Sequence, residues 1–190
     1  MYRAIKEDIQ NSIDVKQTLL QNEEFINTVS DLSAEIIKAI RNGNKLVLCG
    51  NGGSASDALH FAGEIVGRFQ KERNSWPALV LNADVATMTA IANDYGYENV
   101  FARQVEGCVK AGDIFLGIST SGNSENVYRA SEVAKKRGAI TAALLGKDGG
   151  KIGKNVDYPI IVPCMITARV QECHIMIIHI MCEVVEEELA

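Results

Sequence analysis

Apolar residues follow one periodicity in roughly the first 43 residues of the chain and another beyond them. In the first part they recur at helical spacing. This spacing predicts a helix with an apolar stripe at Ile5, Ile9, Ile13 and Leu20, and a second helix with Val29, Leu32, Ile36, Ile37 and Ile40. The sequence Asn42-Gly43-Asn44 predicts the end of the second helix.

Short apolar runs alternate with helical patterns in the rest of the chain. Strands are predicted at residues 45–49, 78–81, 114–118, 140–145 and 158–162. Helices are predicted notably at residues 55–68, 125–137 and 168–188. Strands that are apolar throughout and alternate with helices are typical of a parallel sheet covered on both faces. The predicted fold is therefore a three-layer α/β sandwich with two leading helices, formed by a single domain of residues 1–190.

Composition and charge argue against several classes of protein. The chain has 19 Lys and Arg against 24 Asp and Glu, a formal net charge of -5, which does not suit binding to nucleic acid through a basic face. No apolar run approaches the roughly 18 residues that span a bilayer, and the charged N-terminus MYRAIKEDIQ has no export signal. Five scattered cysteines without a CxxC motif indicate reduced thiols. We expect a cytoplasmic protein that binds neither nucleic acid nor membrane.

Two polar loops follow predicted strands, where parallel sheets bind their ligands. The first is Gly50-Asn51-Gly52-Gly53-Ser54. Its glycines would let backbone N–H groups approach an anion at a helix N-terminus, although a tight turn without a ligand explains them equally well. The loop also fits the dinucleotide pattern GxGxxA, but no suitable acidic residue lies about 20 residues further on.

The second loop is Ser119-Thr120-Ser121-Gly122-Asn123-Ser124. Some of its side chains could cap the following helix, but one cap needs only one such residue. The set favours a phosphate site with neutral donors, suited to a phosphorylated small molecule. A P-loop motif, GxxxxGK[ST], is absent from the chain, and no nucleotide cofactor is expected.

Histidine and carboxylate residues supply a third group of candidates. His60 and Glu64 are four residues apart, on one face of a helix, within reach of one metal ion or one substrate. The alternative is structural, with Glu64 paired to Arg68 and His60 an ordinary surface histidine. Asn93-Asp94-Tyr95-Gly96 closes an apolar helical stretch and, by itself, is best interpreted as a C-terminal cap.

The last predicted helix carries Gln171, His174 and His179 among apolar residues on nearly every side. A helix in the outer layer of a domain this small can be buried all round only if another subunit covers it, which predicts a homo-oligomer. A histidine in such a helix is more often a hydrogen-bonded core residue than a ligand, and this interpretation is favoured for His174.

Taken together, these segments resemble the phosphoheptose isomerases, which are sedoheptulose 7-phosphate isomerases of the SIS (sugar isomerase) fold. The resemblance covers essentially the whole chain and implies a flavodoxin-like parallel sheet. It is carried by CGNGGSASDALHFAGE, AIANDYGYENVFARQV, GDIFLGISTSGNSENV, GKDGG and ARVQECHIMIIHI, in this order.

The resemblance implies a role for each matching position. Glu64 corresponds to the catalytic base and His179 to the catalytic acid. Substrate contacts are implied for Asn51, Gly52, Gly53, Ser54, Glu64, Asn93, Asp94 and Gln171, and phosphate contacts for Ser119, Thr120, Ser121 and Ser124. One zinc ion per subunit is implied, with the ligands His60, Glu64, Gln171 and His179. Because eight residues span about 12 Å of helix, a zinc ion shared by Gln171 and His179 requires long reaches or a ligand from another subunit.

The resemblance also implies a homotetramer with active sites between subunits, to whose packing residues 1–43 contribute, and a phosphorylated seven-carbon sugar as substrate. Three alternatives stay open from sequence. One is a non-catalytic SIS-fold regulatory tetramer that binds a replication-initiation protein. Such proteins have lost the catalytic pair, so the presence of Glu64 and His179 favours an enzyme. The others are an isomerase of another sugar phosphate and, on the GxGxxA pattern alone, an NAD-dependent oxidoreductase.

Overall fold

A computed structural model describes all residues from 1 to 190 and contains eight α-helices and five strands. The helices are α1 (Tyr2–Leu20), α2 (Glu23–Arg41), α3 (Gly53–Val66), α4 (Val85–Tyr95), α5 (Val100–Cys108), α6 (Glu125–Lys136), α7 (Gly150–Gly153) and α8 (Thr167–Leu189). The strands are β1 (Leu46–Gly50), β2 (Ala78–Val80), β3 (Ile114–Ser119), β4 (Ile140–Gly146) and β5 (Tyr158–Val162). No helix has the length and apolar character needed to cross a membrane.

The five strands form one parallel sheet in the order β2-β1-β3-β4-β5. This is the flavodoxin-like order, in which the chain reverses direction across the sheet between β1 and β3. The predicted fold class is confirmed. Ligands of such sheets bind beyond the carboxyl ends of the strands next to that reversal, which here are β1 and β3.

Each strand contributes to two hydrophobic cores because alternate side chains point to opposite faces. In β1, Leu46 and Leu48 join the core formed with α2, α3 and α8. Val47 and Cys49 join the core formed with α5 and α6 on the other face. Burial on both faces explains why β1 is apolar throughout, and it confirms the three-layer prediction.

The two leading helices differ in how far they join the core. Helix α2 begins at Asn22, whose side chain accepts a hydrogen bond from the Phe25 N–H, and it buries seven residues. Helix α1 buries only Leu19, and the predicted stripe of Ile5, Ile9 and Ile13 is exposed. The helix is therefore amphipathic, as predicted, but its apolar stripe stays about half exposed in this chain.

The predicted and observed bounds of α3 differ by two residues at each end, and the difference at its start lies in the first glycine loop. Gly50 is the last residue of β1, and Gly53 already begins α3, so the connection consists of Asn51 and Gly52 alone. The predicted helix start at residue 55 was two residues late. Glycine has a low helix propensity, so the sequence did not indicate that Gly53 is the first residue of the helix. The short connection brings the N-terminus of α3 directly to the end of β1.

Candidate active site

The polar loops meet at the carboxyl edge of the sheet. Gly50 of β1 is paired in register with Ile118 of β3, so Ser119 lies one residue beyond the end of β1. Asn82, which follows β2, accepts a hydrogen bond from the Gly50 N–H and donates one to the Gly50 carbonyl, at 3.1 and 2.8 Å. Three strand ends are thus held together at one edge.

Side-chain amides join the first loop to α6. Asn51 and Asn126 exchange two hydrogen bonds of 3.0 and 2.9 Å, and the Tyr97 hydroxyl donates to Asn51 Oδ1 at 2.9 Å. Neither Asn126 nor Tyr97 was predicted from sequence. Asn126 could have been found as a polar residue on the buried face of an amphipathic helix, where a polar side chain needs a hydrogen-bond partner. It is 4% exposed.

The hydroxyl groups of the second loop gather at the N-terminus of α6. Ser119 Oγ lies 2.8 Å from Ser124 Oγ and 3.4 Å from Ser121 Oγ. Ser124 occupies the N-cap position, but its side chain makes no capping hydrogen bond. Capping by Ser124 therefore does not explain the cluster, and the three hydroxyls gather beside the N-terminus of α6, where the helix dipole favours an anion.

Gly122 gives this loop its shape. It adopts φ +67°, and a Cβ there would collide with the carbonyl oxygen of Gly149. The Gly122 carbonyl also accepts a hydrogen bond from the Ile152 N–H at 3.0 Å. The close approach requires glycine and fixes the serine loop against the start of α7.

Helices α3 and α8 bring three potential metal ligands together. His60 Nε2 lies 2.9 Å from His179 Nε2 and 3.2 Å from Glu64 Oε1. One ligand atom from each of the three residues lies within 4.8 Å of the others. His60 and His179 are 119 residues apart in sequence, so only the packing of α3 against α8 creates this group.

The structural alternative for Glu64 is wrong, because Arg68 pairs with Glu72 at 3.5 Å while Glu64 faces His60. His179 is held from its other side by Phe69, whose ring stacks on the imidazole with centroids 5.6 Å apart. The histidine and carboxylate pair is thus part of an ordered cluster.

The chemistry of the three ligand atoms fits a divalent cation. A single proton on His60 Nε2 cannot be donated to both the His179 nitrogen and the Glu64 oxygen. Two imidazole nitrogens and one carboxylate oxygen form a common zinc ligand set.

Gln171 lies away from these three residues. Its side-chain amide packs against Gly53, where a Cβ would collide with the amide nitrogen. Gly53 precedes His60 by seven residues, which is roughly 10 Å along α3. In this protomer Gln171 is thus placed beside the first loop, and its predicted metal ligation remains a prediction.

Two other candidates are resolved by their surroundings. His174 is fully buried, and its Nε2 lies 3.1 Å from the Leu145 carbonyl oxygen, so it is a core residue. Asn93 and Asp94 are exposed in the last turn of α4 and hydrogen bond to each other at 2.8 Å. The helix itself ends at Gly96, with φ +85°, so neither side chain is needed as its cap.

Comparisons with known proteins show the family of this chain. Residues 10–146 match the SIS domain family. The phosphoheptose isomerase of Sulfurimonas denitrificans is 50% identical over 189 residues, covering all of this chain and 97% of the relative. The chain belongs to the phosphoheptose isomerase family.

Further members agree in sequence and in structure. The phosphoheptose isomerase of Nitratiruptor is 60% identical over 151 residues, 80% of this chain and 81% of the relative. The structure of the Neisseria gonorrhoeae phosphoheptose isomerase superposes with a TM-score of 0.92 at 38% identity, and each chain is covered to 98%. That of the Francisella tularensis phosphoheptose isomerase gives 0.93 at 33% identity, also with 98% of each chain covered.

Proposed function

We propose that this chain converts sedoheptulose 7-phosphate to D-glycero-D-manno-heptose 7-phosphate, as the first step in making nucleotide-activated heptose. The observation that carries the proposal is the meeting of Glu64 and His179, from α3 and α8, in one cluster with His60. Family membership supports it. We place the activity in the cytoplasm, and the five free cysteines support this location.

The residue types suit a ketose–aldose isomerisation. In our proposal Glu64 removes a proton from C1 of the ketose while His179 protonates the oxygen on C2, which gives an ene-diol. Glu64 then returns its proton to C2, and His179 accepts the proton from the C1 hydroxyl, so no net proton is gained or lost. Both residues begin and end the cycle in the same protonation state.

The serine loop supplies the proposed phosphate site. Ser119, Ser121 and Ser124 offer hydroxyl donors, and α6 adds the positive end of its dipole. Thr120 belongs to the same loop. Asn51, Gly52, Gly53, Ser54, Asn93, Asp94 and Gln171 remain the proposed contacts to the sugar.

We propose that His60, Glu64 and His179 hold a zinc ion through one atom each, with Gln171 as the proposed fourth ligand. An atom that holds zinc cannot also hold a proton, so Glu64 and His179 would exchange protons through the other carboxylate oxygen and the other ring nitrogen. When bound, zinc would stabilise negative charge that develops on the sugar oxygens. The donor chemistry of the three clustered residues supports this assignment.

We propose a homotetramer with active sites between subunits. Two exposed apolar surfaces support contact with further copies of the chain. One is the stripe of α1, and the other lies between α2 and α8, where Ile26, Ile180 and Val184 are 38–42% exposed. Apolar side chains of this size gain free energy when a partner covers them.

The first experiment is turnover of the purified protein on sedoheptulose 7-phosphate, followed by NMR, with fructose 6-phosphate as the control substrate. Conversion of the heptulose alone would support the proposal. Conversion of both sugars would favour a broader sugar-phosphate isomerase. No conversion by an intact oligomer supplied with zinc would contradict an enzymatic role and favour the regulatory alternative.

Chelation tests the metal site. Removing divalent metal is expected to abolish turnover, and zinc is expected to restore it, because three ligand atoms converge on one point. Metal content measured before and after chelation provides the control. Full turnover in protein shown to be free of metal would contradict the zinc proposal.

Replacing Ser121 with alanine tests the phosphate site. A hydrogen bond to a charged group contributes about 1.5–3 kcal/mol, so KM is expected to rise roughly tenfold or more while kcat changes little. Thr28→Ala is the matched control, since the Thr28 hydroxyl only bonds the Glu24 carbonyl within α2. An unchanged KM in Ser121→Ala would argue against phosphate binding at this loop.

A further inference from the structure

A buried ion pair lies next to the proposed catalytic residues and has no role in the mechanism above. Arg73 Nε donates to Glu186 Oε1 at 3.0 Å, and the two side chains are only 5% and 2% exposed. Arg73 belongs to the segment between α3 and β2, and Glu186 to the C-terminal part of α8. Burying two charges is costly unless every polar atom is paired, so the partners of both side chains are informative.

Arg73 holds the end of α3. Its guanidinium donates to the Glu64 carbonyl at 2.7 Å and to the Ile65 carbonyl at 3.1 Å, while it lies over the Trp76 ring at 3.5 Å from the centroid. Carbonyls in the last turn of a helix have no partner within the helix, and here Arg73 supplies one. The backbone of Glu64 is therefore fixed by Arg73.

Glu186 holds the chain that follows α3. Its carboxylate accepts hydrogen bonds from the N–H groups of Phe69, Gln70 and Lys71, at 3.1, 2.7 and 2.7 Å. Burial raises the pKa of this carboxyl, but these bonds and Arg73 outweigh burial and keep the pKa below its usual value. The carboxylate is thus ionised and binds the backbone at Phe69.

Phe69 carries this restraint to His179. Its ring stacks on the imidazole with an interplanar angle of 28° and centroids 5.6 Å apart. His179 and Glu186 are both on α8, seven residues apart, so they lie on the same side of the helix. Fixing the Phe69 backbone from Glu186 places the aromatic ring against the imidazole.

We propose that Arg73 and Glu186 are positioning residues for the isomerase. Arg73 fixes the position of Glu64 by binding the backbone carbonyl of Glu64, and Glu186 fixes the position of His179 through the Phe69 ring. The proposal rests on the catalytic roles proposed for Glu64 and His179. A displacement of about 1 Å can lower a rate by about 100-fold, so a pair that fixes both groups determines kcat without touching substrate.

Asp113 and Lys45 provide a matched control with the same chemistry. The Asp113 side chain is 0% exposed, lies within ion-pair distance of Lys45 Nζ, and accepts hydrogen bonds from the N–H groups of Lys45 and Lys110. This pair lies at the starts of β1 and β3, the opposite edge of the sheet from the site. Disrupting it should cost stability without moving the catalytic residues.

The kinetic test compares Glu186→Gln, Arg73→Lys and Phe69→Leu with Asp113→Asn. We expect kcat to fall about 10- to 100-fold in Glu186→Gln and Arg73→Lys, and about 3- to 10-fold in Phe69→Leu, with KM changed less than twofold. Phe69→Leu keeps the ion pair, so it remains informative if Glu186→Gln folds poorly. Asp113→Asn is expected to lose stability but keep the kcat of the parent.

A spectroscopic test reads the position of His179 directly. The chain has three histidines, so ¹³C-histidine labelling gives a simple spectrum that single histidine substitutions can assign. The His179 ring signals should shift in Phe69→Leu, which removes the Phe69 ring current, and in Glu186→Gln, which is expected to displace the Phe69 ring. The signals of buried His174 should stay in place, as should all three in Asp113→Asn.

A parent kcat in both Glu186→Gln and Phe69→Leu would overturn the proposal. So would a lower kcat with unmoved His179 signals, since that combination indicates a loss of general stability. If the parent protein itself does not turn over sedoheptulose 7-phosphate, the proposed function fails. The His179 signals of the variants then still decide whether the ion pair positions this residue.

Discussion

Glu64→Gln and His179→Gln are each expected to lower kcat on sedoheptulose 7-phosphate by roughly 10²–10⁴-fold, the range typical of lost general acid–base catalysis. Glutamine keeps the size of Glu64 but cannot accept the proton from carbon. At position 179 it cannot exchange a proton with the substrate oxygen. Both changes also replace one of the three clustered ligands with a neutral amide.

The matched control for Glu64→Gln is Glu72→Gln. Glu72 also pairs with a side chain one helical turn away in sequence, Arg68, but it is 91% exposed. This variant should keep the parent kcat, and all variants should keep the parent oligomeric state and circular dichroism spectrum. Residual activity within tenfold of the parent in Glu64→Gln or His179→Gln would contradict the assigned role.

The sheet could be predicted from sequence because its strands are apolar throughout, and the three central strands are buried on both faces. Runs such as residues 114–118 and 158–162 have no polar interruption, and the structure places strands at Ile114–Ser119 and Tyr158–Val162. Hydrophobic burial of this kind is encoded locally. The polar loops between strands and helices could also be predicted, because their polar residues interrupt the apolar pattern.

Contacts between distant segments could not be predicted in this way. The spacing of four residues predicts that His60 and Glu64 share a helical face, but it says nothing about His179. The resemblance to known isomerases supplied that partner. Arg73 and Glu186 are 113 residues apart, and each has the sequence context of an ordinary surface charge. Only the packing of α8 against the segment after α3 shows that they are buried.

Gln171 is placed by the geometry of α8 and by its contact with Gly53. Its distance from His179 along α8 follows from helix geometry, and the structure places its amide at the start of α3 beside Gly53. That position is close to the loop proposed to bind the sugar. Within a single subunit, the Gln171 amide is therefore better placed to contact the substrate than to bind the same metal ion as His179.

His174 is expected to make the folded protein up to about 3 kcal/mol less stable at pH 4 than at pH 6.5. Burial lowers the pKa of this imidazole to about 4, although the hydrogen bond to the Leu145 carbonyl opposes the shift. In the unfolded chain the His174 imidazole has its ordinary pKa of 6.5. In the folded protein the imidazole stays unprotonated until the pH falls to about 4. Stability is therefore complete above pH 6.5 and decreases as the pH falls, by about 1.36 kcal/mol for each unit between the two pKa values.

The measurement is chemical denaturation of the parent and of His174→Gln between pH 7 and pH 4, at one protein concentration so that any oligomer is held constant. Glutamine can still donate to the Leu145 carbonyl but does not titrate, so its stability should decrease less over this range. Burial raises the pKa of Asp113 and of Asp157, but their hydrogen bonds bring both below the usual value of 3.8. Their stabilising effect is lost only as the pH falls below about 4. The difference between the two proteins across pH 4–6.5 therefore isolates His174, and parallel curves would contradict a neutral, buried imidazole at this position.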